Sequence, residues 1–415
     1  MLNSIKKKAA FIMAFAVLAG TAPVLYGGES VISDGGIIYA AATEDTEDPL
    51  DPYVDGFLFT NDGIKSVLIG VRDKEGEVVI PSEDSDLPVQ VIGQCTFQRK
   101  TGITKVVVPD SVKFIESNAF DICTDLEAVD LPDSVISMEK CVFSNCSSLL
   151  EVKMPEGMTS VPESCFSNCR KLKSVVLSSN TKNIYTYAFQ QCRALESIEF
   201  PDTLERIYGA SFSDCYALEE VNIPDSVYMI DMYAFAECSG LKKIKLPAKL
   251  TAIKARTFYH CSSLESIEIP ETVTTVEENA FYGCENLKSV TIPPSVTQIG
   301  KMAFGYTVGE GAAQFGLIDG FSIKGQVGSA AQEYANMHMI PFYDMETGEL
   351  VSAPTIIKGD VDSDGSVTAS DLASMIQILL GKVELTEDIT ASADMDDNGI
   401  VNILDLIKLK NLFIQ

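Results

Sequence analysis

The chain has 415 residues, with 59 acidic against 31 basic side chains for a formal charge of −28, and it is 46% hydrophobic without a single tryptophan. That balance argues against nucleic acid and anionic membrane surfaces as partners and favours solubility. Only two histidines occur, His260 and His338, in different regions and with no nucleophile partnered to either; both read as structural or surface residues. No metal-binding His/Cys spacing and no phosphate-cradling glycine loop is present, so no catalytic constellation is visible.

At the amino terminus Lys6, Lys7 and Lys8 precede an apolar run over residues 9–18, the order of a secretory signal. The run is too short for a membrane span. The small residues Ala40, Ala41 and Ala42 predict cleavage after residue 42, with a cut nearer Ala22 as the alternative. Residues 43–52 are acidic and contain proline, and read as a linker. From residue 53 to 92 the pattern is loose: Phe57, Phe59, Val67, Ile69, Val79 and Ile80 predict two or three strands, with turns at Asn61-Asp62-Gly63 and Lys74-Glu75-Gly76. An atypical segment of this kind suits the cap of a repeat array.

The array itself follows. Phe recurs at 97, 120, 143, 166, 189, 212, 235, 258, 281 and 304, every step being 23 residues. From Phe120 to Phe281 a Cys lies three places later and a Leu three places after that, as in Phe258, Cys261 and Leu264. Proline keeps the same beat at 109, 132, 155, 201, 224, 247, 270 and 293, with Ser178 as the one exception. A fixed period in this range marks a solenoid. Within one repeat, Leu264, Ile267 and Ile269 alternate with polar Ser266 and Glu268, which predicts a short half-buried strand that Pro270 ends. Val273 and Val276 return to the core before Ala280 and Phe281 close the turn. A single repeat cannot bury enough surface to stand alone, so stability has to come from stacking.

The motif L-x-x-[VI]-x-[IL]-P-x-x-[VL]-x-x-I-x-x-x-A-F-x-x-C resembles the BspA-type leucine-rich repeat of bacterial surface and secreted proteins. The resemblance covers most of the chain and implies a curved solenoid with one short strand per repeat on a shared sheet. It does not imply an enzyme.

Eleven cysteines in a chain read as secreted raise the question of disulfides. Eight share one column whose side chains point inward, and Cys165 fills a slot that other repeats give to Ala119, Ala188, Ala234 and Ala280, so buried free thiols are expected, with bridging between stacked neighbours as the alternative. Cys95 and Cys141 share another column two repeats apart, too far to bridge. On the outside, the strand column Val107, Asp130, Lys153, Val176, Glu199, Asn222, Lys245, Glu268 and Thr291 has mixed charge and no single-sign stripe. Tyr185, Tyr187, Tyr208 and Tyr233 look outward from neighbouring turns and read first as scattered surface residues, with a binding surface as the alternative, since Tyr anchors interfaces at low entropic cost. After Phe304 the beat stops. Residues 307–320 are glycine-rich, Phe321-Ser322-Ile323 predicts a strand, residues 329–337 a short helix, and Ile340-Pro341-Phe342 a return to the core. This ending resembles the C-terminal cap of the same repeat family.

Past a connector, the segment 360–371 places Asp360, Asp362, Asp364 and Asp371 at loop positions 1, 3, 5 and 12 with Gly365 at 6. The segment 394–405 repeats it with Asp394, Asp396, Asn398 and Asp405 around Gly399. Such spacing wraps oxygens around Ca²⁺, with the carbonyls of Ser366 and Ile400 supplying position 7 and Thr368 and Asn402 at the water-mediated position 9. Position 12 is Asp rather than Glu. No helix is expected before the first loop, because Pro354, Thr355, Ile356 and Ile357 disfavour one. Leu372, Met375, Ile376 and Leu379, then Leu406, Ile407, Leu409 and Leu412, predict a helix after each loop.

Loop then helix, twice, opening with Gly359-Asp360, closely resembles a type I dockerin. That resemblance implies docking onto a cohesin domain of a scaffoldin in a cellulosome. Carrying the family's contact positions across points to Ala369, Ser370, Ile376 and Gln377 in the first half and Ile403, Leu404, Lys410 and Asn411 in the second. Because the halves differ, cohesin is expected to bind in one orientation.

The sequence therefore predicts a mainly β solenoid, a leucine-rich repeat of 23-residue period, followed by a small all-α calcium-binding dockerin domain. The expected divisions are a signal peptide over 1–42, an acidic linker over 43–52, the solenoid with both caps over 53–345, a linker over 346–358 and the dockerin over 359–415. The functional expectation is a secreted, extracellular, non-catalytic protein. It holds two Ca²⁺ ions, is attached to a cellulosome or cell-surface scaffold through a cohesin, and shows a protein or glycan ligand its repeat array. The rivals are a dockerin-borne hydrolase and a protease inhibitor using residues 307–320 as bait.

Overall fold

The computed structural model describes residues 30–32, 38–40, 52–308, 316–352, 358–362, 366–383, 387–396 and 399–413. Most of the expected signal segment and the linker residues 43–51 lie outside them; within 30–40 the backbone forms one antiparallel pair, Ser30–Ile32 with Ile38–Ala40.

The cap is richer than its loose pattern predicted. Phe57–Asn61 and Ser66–Val71 form an antiparallel hairpin whose turn is held by the Asp62 carboxylate, which accepts from the amides of Ile64 and Lys65 at 2.9 and 3.0 Å. The second strand of the hairpin already pairs in parallel with Leu87–Ile92, and Gly76–Val79 pairs in parallel with Ile103–Val107. The hairpin thus serves as the template on which the solenoid is laid.

From there the chain winds with a register of 23 residues: Val129 lies beside Val106, Val152 beside Val175, and Val221 beside Ile244. The apolar alternation puts Val129, Val152 and Val175 inside while their neighbours face water. The expectation of one strand per repeat is corrected. Each turn makes a second, two-residue strand, such as Ser137–Met138, Asn183–Ile184 or Thr275–Val276, and these build a second parallel ladder. A two-residue strand leaves no readable period, which is why the pattern missed it.

The column phenylalanines are fully buried and stack face to face, with centroids 4.7–5.9 Å apart and ring planes 5–19° from parallel between Phe97 and Phe304. Two places before and two places after most of them the backbone is left-handed, as at Asn118 and Ile122 around Phe120 or Arg256 and His260 around Phe258. This alternation turns every second amide along the solenoid axis. The N–H groups of Arg256, Phe258 and His260 all donate to the next turn, to Glu278, Ala280 and Tyr282, at 3.1, 2.9 and 2.7 Å. Left-handed backbone costs a non-glycine residue roughly 1 kcal/mol, and the inter-turn hydrogen bonds offset it.

The cysteine column is buried and free, as expected, but it is more than small apolar filler. Each thiol donates to the carbonyl oxygen of the phenylalanine one turn earlier: Cys123 to Phe97 at 3.0 Å, Cys192 to Phe166 at 3.1 Å, and so on to Cys284 on Phe258 at 3.2 Å. At the far end the helix α1, Ala330–Met337, closes the stack, with Tyr334 edge-on to Phe304. His338, on the same cap, bonds the Tyr306 hydroxyl at 2.9 Å, and burial pushes its pKa down to about 4. Phe342–Asp344 extends the sheet, and residues 350–352, read as linker, instead add a last antiparallel strand against it. The paired backbone therefore runs past residue 345.

Candidate functional site

The carboxyl-terminal module is built around its own small core of Val361, Met375, Ile378, Ala393 and Leu409. Helices α2, Ala369–Leu379, and α4, Ile403–Asn411, follow the two acidic loops as predicted. A short helix α3, Glu387–Ala393, precedes the second loop; no element was read there, because seven polar-rich residues carry no apolar stripe. The two halves are tied together by the Gly359 amide, which donates to Ser392 at 2.8 Å. Gly359 has φ +98°, and a Cβ there would sit 2.9 Å from a methyl group of Leu409, so glycine allows the close approach.

Each loop closes on the aspartate at its twelfth position. One oxygen of Asp371 accepts from the amides of Val361 and Asp362 at 2.7 and 3.1 Å, and the other accepts from Thr368 at 2.6 Å. Asp405 does the same for Met395 at 2.9 Å and Asn402 at 2.9 Å. Both aspartates are also the third residue of a helix whose first-turn amides are capped by Thr368 or Asn402, giving a reciprocal capping box at each helix start. An aspartate at this place therefore serves the loop and the helix together.

These bonds gather carboxylates that would otherwise repel. Ligand oxygens of Asp360, Asp362 and Asp371 lie within 4.8 Å of one another, and so do those of Asp394, Asp396 and Asp405. Asp360 and Asp394 are 6% and 5% exposed, while Asp371 and Asp405 are fully buried. In the second loop Asp396 pairs with Lys408 at 3.1 Å through one oxygen, and its other oxygen is buried without a hydrogen-bond partner among the described residues. A hard, all-oxygen donor set with an orphaned buried carboxylate oxygen fits a calcium ion. Asp364 and Asn398 lie outside the described residues. Ser366 and Ile400 are exposed at the loop rims, where the Ile400 carbonyl accepts from the Asn402 side chain at 3.0 Å.

The residues proposed for docking all reach the surface. Ala369, Ser370 and Ile376 are exposed and Gln377 half-buried on α2; Ile403, Leu404, Lys410 and Asn411 are exposed on α4. Ile403, Leu404 and Ile407 give α4 the more apolar face, against Ala369, Ser370 and Ala373 on α2.

A family model of the BspA type leucine rich repeat region matches in six copies, across residues 90–218 and 209–309. The chain belongs to the BspA-type leucine-rich repeat family. A second match, to the dockerin type I domain over residues 358–414, makes the carboxyl-terminal module of this BspA-type protein a type I dockerin. Dockerins of this type bind calcium and pair with cohesins, and repeat regions of this family are interaction modules. Proteins carrying these modules are typically extracellular or on the cell surface, and no helix among the described residues is long and apolar enough to cross a membrane.

Among solved structures, a leucine rich cell surface protein of Faecalibacterium prausnitzii is 26% identical, covers 68% of this chain and 96% of its own, and has a TM-score of 0.34. A leucine-rich repeat protein of Bacteroides ovatus is also 26% identical, over 66% of this chain and 88% of its own, with a TM-score of 0.38. The pneumococcal vaccine antigen PcpA is 17% identical over 70% and 92%, with a TM-score of 0.39. No curated protein matches the chain.

On the array of this BspA-type protein, Tyr185 and Tyr187 are exposed at 39% and 42%, and Tyr185 stands 5.0 Å from Tyr208, centroid to centroid. Tyr233 does not join that pair. It lies half-buried under the Arg256 guanidinium, 5.5 Å from its ring centroid, and lines a cleft with Tyr259, Asn279 and Tyr282. The pattern of exposed tyrosines missed those four partners. Of the loop 307–320, residues 309–315 lie outside the described residues, and Tyr306–Thr307 pairs antiparallel with Gly316–Leu317.

Proposed function

We propose that the protein is a secreted, non-catalytic component of a cellulosome-type assembly, held by a calcium-loaded dockerin while its solenoid displays a surface to a protein or glycan ligand. The observation that carries this reading is the pair of buried aspartate clusters, each seated at the start of a boxed helix. Two ions, one per loop, are held by Asp360, Asp362, Asp364, Asp371 and the Ser366 carbonyl, and by Asp394, Asp396, Asn398, Asp405 and the Ile400 carbonyl.

The physical role of the ion follows from the geometry. Three carboxylates packed within 4.8 Å, two of them nine-tenths buried or more, repel each other strongly in the folded state. Calcium bound to the folded loop, and not to the unfolded chain, turns that repulsion into folding free energy; at about a thousand times its Kd the gain is about 4 kcal/mol. The aspartate-centred hydrogen bonds then pass loop order to α2 and α4, which present Ala369, Ser370, Ile376, Gln377, Ile403, Leu404, Lys410 and Asn411 to a cohesin. In this reading residues 1–42 are removed on secretion, and a short connector after the last strand of the solenoid leads into the dockerin at 359–415.

The test is circular dichroism and cohesin binding of the full chain with calcium and with EDTA. Loss of helical signal and of binding on chelation, both restored by calcium, is the expected result. Unchanged binding in EDTA would remove the reading.

A further inference from the structure

Three consecutive turns around Phe258 depart from the rest of the array. In the turns before them, the residue following the stacked phenylalanine is small or polar: Ser144, Ser167, Gln190, Ser213 and Ala236. At the next two turns it is Tyr259 and then Tyr282, whose rings lie 5.3 Å apart and 11° from parallel. Two places before the phenylalanine, Tyr233, Arg256 and Asn279 succeed one another. These five side chains line one open cleft of about 310 Å³. Packing of the solenoid does not call for Tyr259 and Tyr282, since five earlier turns place small or uncharged polar groups after the phenylalanine, and Arg256 stands where other turns carry no cation.

We propose that this cleft binds a neutral oligosaccharide, a proposal that rests on reading the solenoid as a display surface and names its ligand. Every lining residue combines a planar surface with a hydrogen-bonding group, and none is aliphatic. The half-buried rings of Tyr233 and Tyr259 offer surfaces to the C–H faces of a pyranose, whose hydrogens are drawn to the negative π face, while Tyr282, 7% exposed and with its hydroxyl bonded to the Thr307 carbonyl at 3.0 Å, backs the Tyr259 ring. Arg256 supplies donors in a fixed plane, already positioned by its bond to the Tyr233 hydroxyl and by Glu278 at 3.9 Å. The Asn279 side-chain amide and the Tyr259 hydroxyl spend no hydrogen bond on their neighbours among the described residues, which leaves them for vicinal hydroxyl groups.

Two other ligand classes fit worse. A peptide would look for an apolar socket or a free backbone edge. The cleft has no aliphatic socket, and the amides of Arg256, Phe258, His260 and Asn279 are all spent on the following turn. An acidic polymer would meet a chain of charge −28 and, beside the single cleft cation, the carboxylate of Glu278.

The experiment is calorimetric titration of the calcium-loaded full chain with cellohexaose, xylohexaose, mannohexaose and polygalacturonate. Tyr259→Ser installs the residue that sister turns carry, and Arg256→Asn suits the left-handed backbone at φ 55°. Binding of at least one neutral hexaose is expected, weakened about tenfold or more by either variant, with thermal unfolding and cohesin affinity unchanged. Failure of all three neutral hexaoses, binding of polygalacturonate alone, or neutral binding indifferent to both variants would overturn the cleft. Should Tyr185→Ser abolish sugar binding while Tyr259→Ser does not, the display function stands and this site falls.

Discussion

The hydroxyl of Tyr334 accepts from the backbone N–H of Phe304 at 3.0 Å and donates to the carbonyl of the same residue at 2.9 Å. From Phe97 to Phe258 those two bonds are supplied by the following turn, through a carbonyl for the amide and a cysteine thiol for the carbonyl. One phenol on α1 thus replaces the turn that is missing after Phe304. Tyr334→Phe keeps the edge-on ring but strands a buried N–H and a buried C=O, so it should cost about 2–3 kcal/mol. Urea unfolding measures the total, and faster hydrogen exchange at the Phe304 amide would locate it. An unchanged exchange rate there would refute the account.

The thiol column should be chemically silent at neutral pH. Burial pushes the Cys238 thiol up to about 12 and raises those of Cys192, Cys215 and Cys261 well above their ordinary value. A thiol reagent added to the native chain is expected to reach Cys95 and Cys141, which are half-buried, and to reach the column only after unfolding.

The same shifts fix the sign of an alkaline effect. In the folded state these thiols stay protonated while the unfolded chain loses its protons above pH of about 9, so the unfolded state binds fewer protons and stability falls as pH rises. The slope is about 1.4 kcal/mol per pH unit for each such thiol. Urea midpoints should be flat with respect to these groups below pH 8 and drop steeply beyond it, and Cys238→Ala should make the drop shallower. An equally steep curve for that variant would count against the assignment.

Ion stoichiometry tests the two loops separately. Asp371 and Asp405 each close one loop and cap one helix. Calorimetry is expected to count two calcium ions for the native chain and one for either Asp371→Ala or Asp405→Ala. A count of two in both variants would show that the twelfth position does not hold the metal.

The two halves of the dockerin should not be equivalent. Ile403 and Leu404 are 58% and 56% exposed, whereas the first half offers Ala369 and Ser370 at the matching places. Replacing Ile403 by Ala and Leu404 by Ser should weaken cohesin binding about tenfold or more, since exposed apolar anchors dominate docking energy. Ile376→Ala with Gln377→Ala should cost much less. Equal losses would mean that cohesin uses both faces.

The array was legible because its signals lie along one dimension. Phe120, Cys123 and Leu126 recur at a constant step, and Leu264, Ile267 and Ile269 alternate as a half-buried strand must. The acidic loops were legible for the same reason, as a ligand set at fixed offsets within twelve residues. Less visible were the second ladder, whose strands are two residues long, and α3, whose seven residues show no stripe. Tyr233 could be picked out as a surface tyrosine, yet nothing in its own neighbourhood named Arg256, 23 residues on, as its partner. The available sign was subtler: Tyr259 and Tyr282 are aromatic where the column otherwise carries small or polar residues.

The amino-acid sequence alone determined the repeat, the columns that face the core, the identity of both modules and the oxygens available to a cation, because periodicity and ligand spacing are set by neighbours along the chain. Only the tertiary structure decided that thiols bond carbonyls one turn away, that Tyr334 ends the stack, and that five side chains from three turns enclose a cleft. Those relations depend on how turns are laid against each other, and a stacking distance is not written in any one of them.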